Sequence, residues 1–150
     1  ASLVGSEMCI RDSLQYKHAH QQNYEIALSE IRNGRKSSHW MWYIFPQLKG
    51  LGRSTTSEYY GIQNLDEAKE FLADDYLGGH LVEISYALLR IDCNDAKTVL
   101  GRPDDMKLKS SMTLFSLAAS DEDVFKKVLD KFFGGKVDYK TMKMLERRLY

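Results

Sequence analysis

The sequence predicts an all-α fold, a single compact domain of about seven or eight short helices. Apolar residues return at intervals of three and four along most of the chain. No sustained period-two run is bounded by hairpin turns. The apolar stretches are separated by helix stops and caps rather than by a linker, a repeat or a low-complexity tract. With 150 residues, 43% apolar and 28% charged, the chain can bury one core.

The elements follow in order. Residues 1–12 lack the basic start and long apolar run of a secretory signal. They look like translated sequencing-adaptor read-through and are expected to be a non-native or disordered leader, with the helical domain occupying residues 13–150. Leu14, Tyr16 and Ala19 suggest a short first helix. Tyr24, Ala27, Leu28 and Ile31 form the next apolar face, and Asn33-Gly34 ends it. Ser37 or Ser38 is positioned to cap a helix over His39 to Phe45, stopped by Pro46. Asn64 opens a helix on Leu65, Ala68, Phe71 and Leu72 with a capping-box-like Asp66-Glu67.

The clearest pattern is Leu77, Leu81, Ile84, Leu88 and Ile91, one face over four turns. Asn94 is expected to cap a short helix ending at Gly101, and Pro103 to stand in the first turn of the next. Leu108, Met112, Phe115 and Ala119 give that helix its inward face. Ser120 and the acids 121–123 suit the start of a helix on Val124, Phe125, Val128, Leu129, Phe132 and Phe133. Asp138 then caps a last helix bearing Met142 and Leu145.

Lys and Arg balance Asp and Glu at 21 each, so nonspecific attraction to nucleic acid or anionic lipid is not favoured. No apolar run is long enough for a membrane span. Cys9 and Cys93 have neither metal-ligand spacing nor a disulfide framework, which favours a reducing compartment such as the cytoplasm. His18, His20 and His80 lack a third ligand at useful spacing, and no metal or cofactor is expected. Nothing in the residues defines an oligomeric state.

Residues 34–60 call for an explanation. Both tryptophans, Trp40 and Trp42, stand here beside His39, Tyr43, Ile44 and Phe45, with Arg35, Lys36, Lys49 and Arg53 flanking them and Glu58 the one carboxylate between Glu30 and Asp66. Trp40, Trp42, Ile44 and Phe45 read first as core filling, since a helix apolar on all sides belongs inside. A histidine among aromatics is more often a bonded structural residue than a catalyst. Against that, the local basic excess could hold an anion. A second cluster, Lys107 with Ser110, Ser111 and Thr113, places hydroxyls inside an apolar helix. Back-bonding to carbonyls one turn earlier explains it; a hydroxyl wall around a phosphate or carboxylate is the sharper reading. No Walker loop, dinucleotide fingerprint, zinc motif or nucleophile elbow is present.

These strings carry a resemblance. Gly34-Arg35-Lys36, Ser38 through Gln47, Gly50-Leu51-Gly52, Leu77-Gly78 and Asp104…Lys107-Leu108…Ser110 through Phe115 resemble the domain-of-unknown-function 1810 family over residues 12 to 145. The resemblance implies a bacterial, all-helical protein and no reaction. Two departures stand out: members usually carry Gln where His20 stands and His-Pro where Asp74-Asp75 stands.

Two functional readings follow. In the first, the chain binds or processes a small anionic, phosphorylated or nucleotide-like ligand. Arg35, Lys36, Arg53 and Lys107 hold the anion, Gln47, Ser110, Ser111 and Thr113 orient it, Trp40 or Trp42 stacks on a ring, and His39 is the candidate acid/base. In the second, the chain is a non-catalytic interaction module whose polar-aromatic segment is an internal network. Convergence of His39, Arg35, Gln47 and Lys107 on one cleft would favour the first.

Overall fold

A computed structural model describes residues 10–148, with side chains from residue 13. Its described residues form nine helices: α1 (Ile10–Arg32), α2 (Met41–Ile44), α3 (Thr55–Tyr60), α4 (Leu65–Ala73), α5 (Asp75–Arg90), α6 (Ala96–Leu100), α7 (Asp104–Ala118), α8 (Val124–Phe133) and α9 (Tyr139–Arg148). No strand occurs among them. An isolated parallel bridge pairs Leu48 with Ile62, tying the loop after α2 to the loop before α4. The fold is all-α.

The best-patterned stretch becomes the central helix. Leu77, Leu81, Ile84 and Leu88 of α5 are wholly buried, and α1, α4 and α8 pack around it. Roughly 1.5–3 kcal/mol accompanies the full burial of each such side chain. Helix α7 forms the other half of the core, against α4, α6, α8 and α9. Its Phe115 sits 5.5 Å from the Phe71 ring and 5.9 Å from that of Phe125. Gly78 lets α4 and α5 meet: a Cβ there would stand 2.1 Å from the Leu72 carbonyl oxygen. An interior glycine weakens a helix, and close backbone approach is what keeps it.

Several boundaries differ from the sequence expectation. The short helix expected around Leu14 to Ala19 is continuous with the next, giving the 23-residue α1. Leader residues 1–9 lie outside the described residues, and residues 10–12 open α1. The helix expected over His39 to Phe45 shrinks to Met41–Ile44, with neither serine capping it. The N–H groups of Ser37 and Ser38 bond Glu30 instead, which holds that stretch extended. Helix α3 was not anticipated, since it buries nothing; Ser54 caps it by accepting from the Ser57 N–H. Asp95, not Asn94, caps α6. Helix α8 begins four residues beyond Ser120, where Glu122 accepts from the Val124 N–H. Asp138 caps α9 through the Thr141 N–H, as its position suggested.

Candidate functional site

The turn after α1 sets the geometry of the polar-aromatic segment. Gly34, at φ +80°, reverses the chain, and the Lys36 N–H then bonds the Val99 carbonyl at the end of α6. Glu30, in the last turns of α1, is the hub. Its carboxylate accepts from the N–H of Ser37 (2.8 Å), the N–H of Ser38 (3.0 Å), Ser38 Oγ and Trp40 Nε1 (2.9 Å). Burial acts to raise its carboxyl, but the bonds from Ser38 Oγ, the Ser37 N–H, Trp40 Nε1 and the Ser38 N–H outweigh it and bring the value down to about 2. The place where an external anion was expected is filled by an internal one.

The lysines are paired in a similar way. Asp104, at the start of α7, lies 2.9 Å from Lys36 Nζ and 3.4 Å from Lys107 Nζ. Two ammonium groups thus share one carboxylate, with the ionised Glu30 bonded to the Ser38 and Trp40 that Lys36 also touches. Lys36 Nζ lies 5.0 Å from the Trp40 ring centroid, and Lys107 Nζ 4.7 Å from that of Trp42. Cation–π contacts of this kind contribute on the order of 1 kcal/mol.

The nominated residues divide into three groups. Trp40 is 1% exposed and its N–H is spent on Glu30, so it has no free face for a ligand ring. Ser110 and Thr113 donate to the carbonyls of Met106 and Lys109 one turn earlier, and Thr113 Oγ1 also accepts from the Asp138 N–H. Ser111 is fully buried, its Oγ unbonded. The hydroxyl wall is therefore internal, and Lys36 is held by Asp104 and the Ser38 carbonyl. Arg35, His39 and Arg53 are exposed and make no side-chain hydrogen bond or ion pair among the described residues. Trp42, Gln47 and Lys107 form the third group. They do converge, lining one niche with Ser57, Tyr60 and Gly61. Arg35 and His39 do not line it, so this niche gathers Gln47 and Lys107 of the four residues expected to share one cleft.

The niche holds about 10 Å³, the room of a single water. Trp42 Nε1 is buried and has no acceptor. Gln47, Ser57 and Lys107 bring further side-chain donors to the lining of the niche. Gly52 makes this packing possible: a Cβ there would meet Ser57 Oγ at 2.3 Å.

The family is visible at this point. The profile described as "protein of unknown function (DUF1810)" matches residues 11–145. The chain belongs to this family. Among solved structures, it is similar to the conserved hypothetical protein Rv1873 of Mycobacterium tuberculosis, with 39% identity and a TM-score of 0.88 over 90% of this chain and 96% of that one. No curated protein matches significantly. No helix among the described residues of this DUF1810 chain is long and apolar enough to cross a membrane.

A further polar cluster, unseen in the sequence, lies between α1 and α5. His20, 1% exposed, places Nε2 2.8 Å from the Tyr43 carbonyl and Nδ1 2.9 Å from His80 Nδ1. A carbonyl only accepts, so His20 Nε2 carries the proton, and His20 Nδ1 accepts from His80 Nδ1–H. His80 stacks on Tyr24 at 3.6 Å, and Tyr24 donates to Glu83. Desolvation, aided by His80, holds His20 down to about 4 despite the Tyr43 bond and Asp74. Burial also lowers His80, against the pull of Glu83 and Glu25. His20 and His80 lie 60 residues apart, and the pairing becomes apparent only once the two helices pack.

Proposed function

We propose that this DUF1810 chain is a binding protein for a small anionic group, received at the Trp42–Lys107 niche rather than across the wider set of residues first nominated. The observation that supports it is the buried Trp42 indole N–H, which lacks an acceptor and lies under a lysine in a donor-lined recess. An unpaired buried donor costs roughly 1–3 kcal/mol, which an incoming acceptor recovers. The recess admits one oxygen or halide-sized atom, so the ligand presents a carboxylate or phosphate oxygen and keeps its bulk outside. His39 is exposed and outside this niche, so the reading assigns recognition and no acid/base step. The free Cys93 thiol supports work in a reducing compartment, the cytoplasm.

The two indoles supply an internal control. In ¹⁵N-labelled protein, acetate or inorganic phosphate titrated at constant ionic strength moves the Trp42 indole N–H resonance saturably. The Trp40 resonance, held by Glu30, stays in place. Lys107→Met flattens the Trp42 response. Equal movement of both indoles, or of neither, refutes the reading.

The second reading, an interaction module with a structural polar core, draws on the Glu30 network and on a groove between α4, α7 and α9. That groove, about 640 Å³, is lined by Leu65, Leu117, Met142 and Leu145 with charges at its rim.

A further inference from the structure

A cleft of about 360 Å³ opens where α1 and α5 end side by side, within the usual range for a small-ligand site. It forms because the chain leaves the two helices differently. Gly34 turns back with φ +80°, whereas Ile91 continues α5 in extended conformation at φ −78°, ψ 152°. Arg32, Asn33, Arg90 and Asp92 line the cleft, with Ala87 and Ile91 as its apolar wall.

Arginines in a last helical turn are ordinarily explained by the macrodipole and the unpaired carbonyls there. At this end of the molecule those needs are met by other groups. Lys131 reaches over from α8 and donates to the carbonyls of Leu88, Leu89 and Ile91, closing α5. Backbone N–H groups of Asn33, Gly34 and Arg35 satisfy Ser29, Ile31 and Glu30, closing α1. Neither Arg32 nor Arg90 has an ion-pair partner among the described residues, and Asp92 has none either. The cleft thus presents two guanidiniums without an ion pair, a carboxylate that feels the Lys131 charge without pairing with it, an amide and a short aliphatic wall.

We infer that this cleft binds a compact acidic amino acid, a ligand with two carboxylates and one ammonium on a short aliphatic body. Arg32 and Arg90 take the carboxylates, a planar fork suited to that geometry. Asp92 takes the ammonium, and Ala87 with Ile91 contacts the methylene carbons. A plain oxyanion brings a like charge towards Asp92 and offers it no donor, so phosphate and dicarboxylates lacking an amine are the poorer fit.

The site is separate from the Trp42 niche, whose indole resonance reports on it independently. The test measures thermal unfolding and backbone amide shifts with glutamate, aspartate, glutarate and inorganic phosphate as probes. Glutamate or aspartate is expected to raise the unfolding midpoint and move the amides of residues 32–34 and 90–93 at concentrations below those at which acetate moves the Trp42 indole. Arg90→Met weakens this binding at least tenfold and leaves the ligand-free midpoint nearly unchanged, since Arg90 is exposed and unpaired. Asp92→Asn removes the preference for glutamate over glutarate. No response to either amino acid overturns the inference, as does equal binding of glutarate by the unaltered protein or full binding by Arg90→Met.

Discussion

Acidification should act on one buried histidine, and the size of its effect follows from the packing of α1 on α5. Unfolded, His20 protonates near the ordinary value of 6.5; folded, it resists until about 4. Between those values the unfolded chain binds a proton that the native chain refuses. Stability contributed by the neutral ring is therefore complete above pH 6.5 and lost progressively as pH falls towards 4. The full loss is about 3 kcal/mol, at 1.36 kcal/mol per pKa unit. Some 2 kcal/mol of it falls between pH 7 and pH 5, where ordinary carboxylates still hold their charge. Asp74, drawn below its usual range against burial by the Leu77 N–H, Lys17 and the Tyr76 N–H, stays ionised there. Urea unfolding followed by far-UV circular dichroism at the two pH values measures the loss. The decisive variant is His20→Gln, whose amide supplies one donor for the Tyr43 carbonyl and one acceptor for His80 Nδ1–H. It should fold with similar stability at pH 7 and lose about 2 kcal/mol less than the parent on going to pH 5. His18 and His39 remain in both proteins and cancel, and the comparison reads the His20–His80 pair as a unit. If His20→Gln is as acid-sensitive as the parent, or if the His20 ring titrates above pH 6, the tautomer argument is wrong. DUF1810 members with Gln at this position would satisfy the same two partners without an acid response.

Other substitutions test separate joints of the structure. Glu30→Ala strips four donors of their acceptor and leaves Trp40 Nε1 buried, so it should cost roughly 3 kcal/mol or more in chemical denaturation. Ser111→Ala should be neutral or stabilising by up to about 1 kcal/mol, because the buried hydroxyl has no partner to lose; a large loss would show that Ser111 does bond. Gly78→Ala drives a Cβ into the Leu72 carbonyl and should destabilise by about 3 kcal/mol, visible as a marked fall in melting temperature. Lys131→Met uncaps α5 and should cost about 1–2 kcal/mol, with faster amide exchange confined to residues 88–91.

The fold was legible where burial is one-sided. Leu77, Leu81, Ile84 and Leu88 face three neighbouring helices while the opposite side meets solvent, so spacing alone reveals the helix. Around Trp40 to Phe45 nearly every side chain is buried, periodicity carries no information, and the expected helix came out too long. Helix α3 escaped for the opposite reason: Thr55 to Tyr60 buries nothing, and its Ser54 cap is too common a residue to announce it. The site was harder to read because charge neighbours are not sequence neighbours. The four basic residues between 35 and 53 looked unopposed, yet Asp104 reaches Lys36 from a helix far along the chain. Glu30 was nearer at hand, a turn before the segment and able to fold back on it, but nothing in its position distinguishes it from a solvated helix acid.

On the reading proposed above, those pairings favour recognition over catalysis at the niche. A general acid or base must hold a defined orientation and reach its substrate, which normally requires a partner for its second polar atom. His39 has an exposed ring and no such partner among the described residues. His80 has an oriented ring, because His20 accepts its Nδ1–H, but it is stacked on Tyr24 on a different face of α1 from the Glu30 hub. Lys107 and Trp42 have the converse properties: fixed geometry and one unmet N–H. A recess of about 10 Å³ lined by the Trp42 indole and the Lys107 ammonium has the room to hold an oxygen without acting on the bond beside it. On that reading, the residues that converge at the niche are suited to binding, and a catalytic step would call on residues elsewhere.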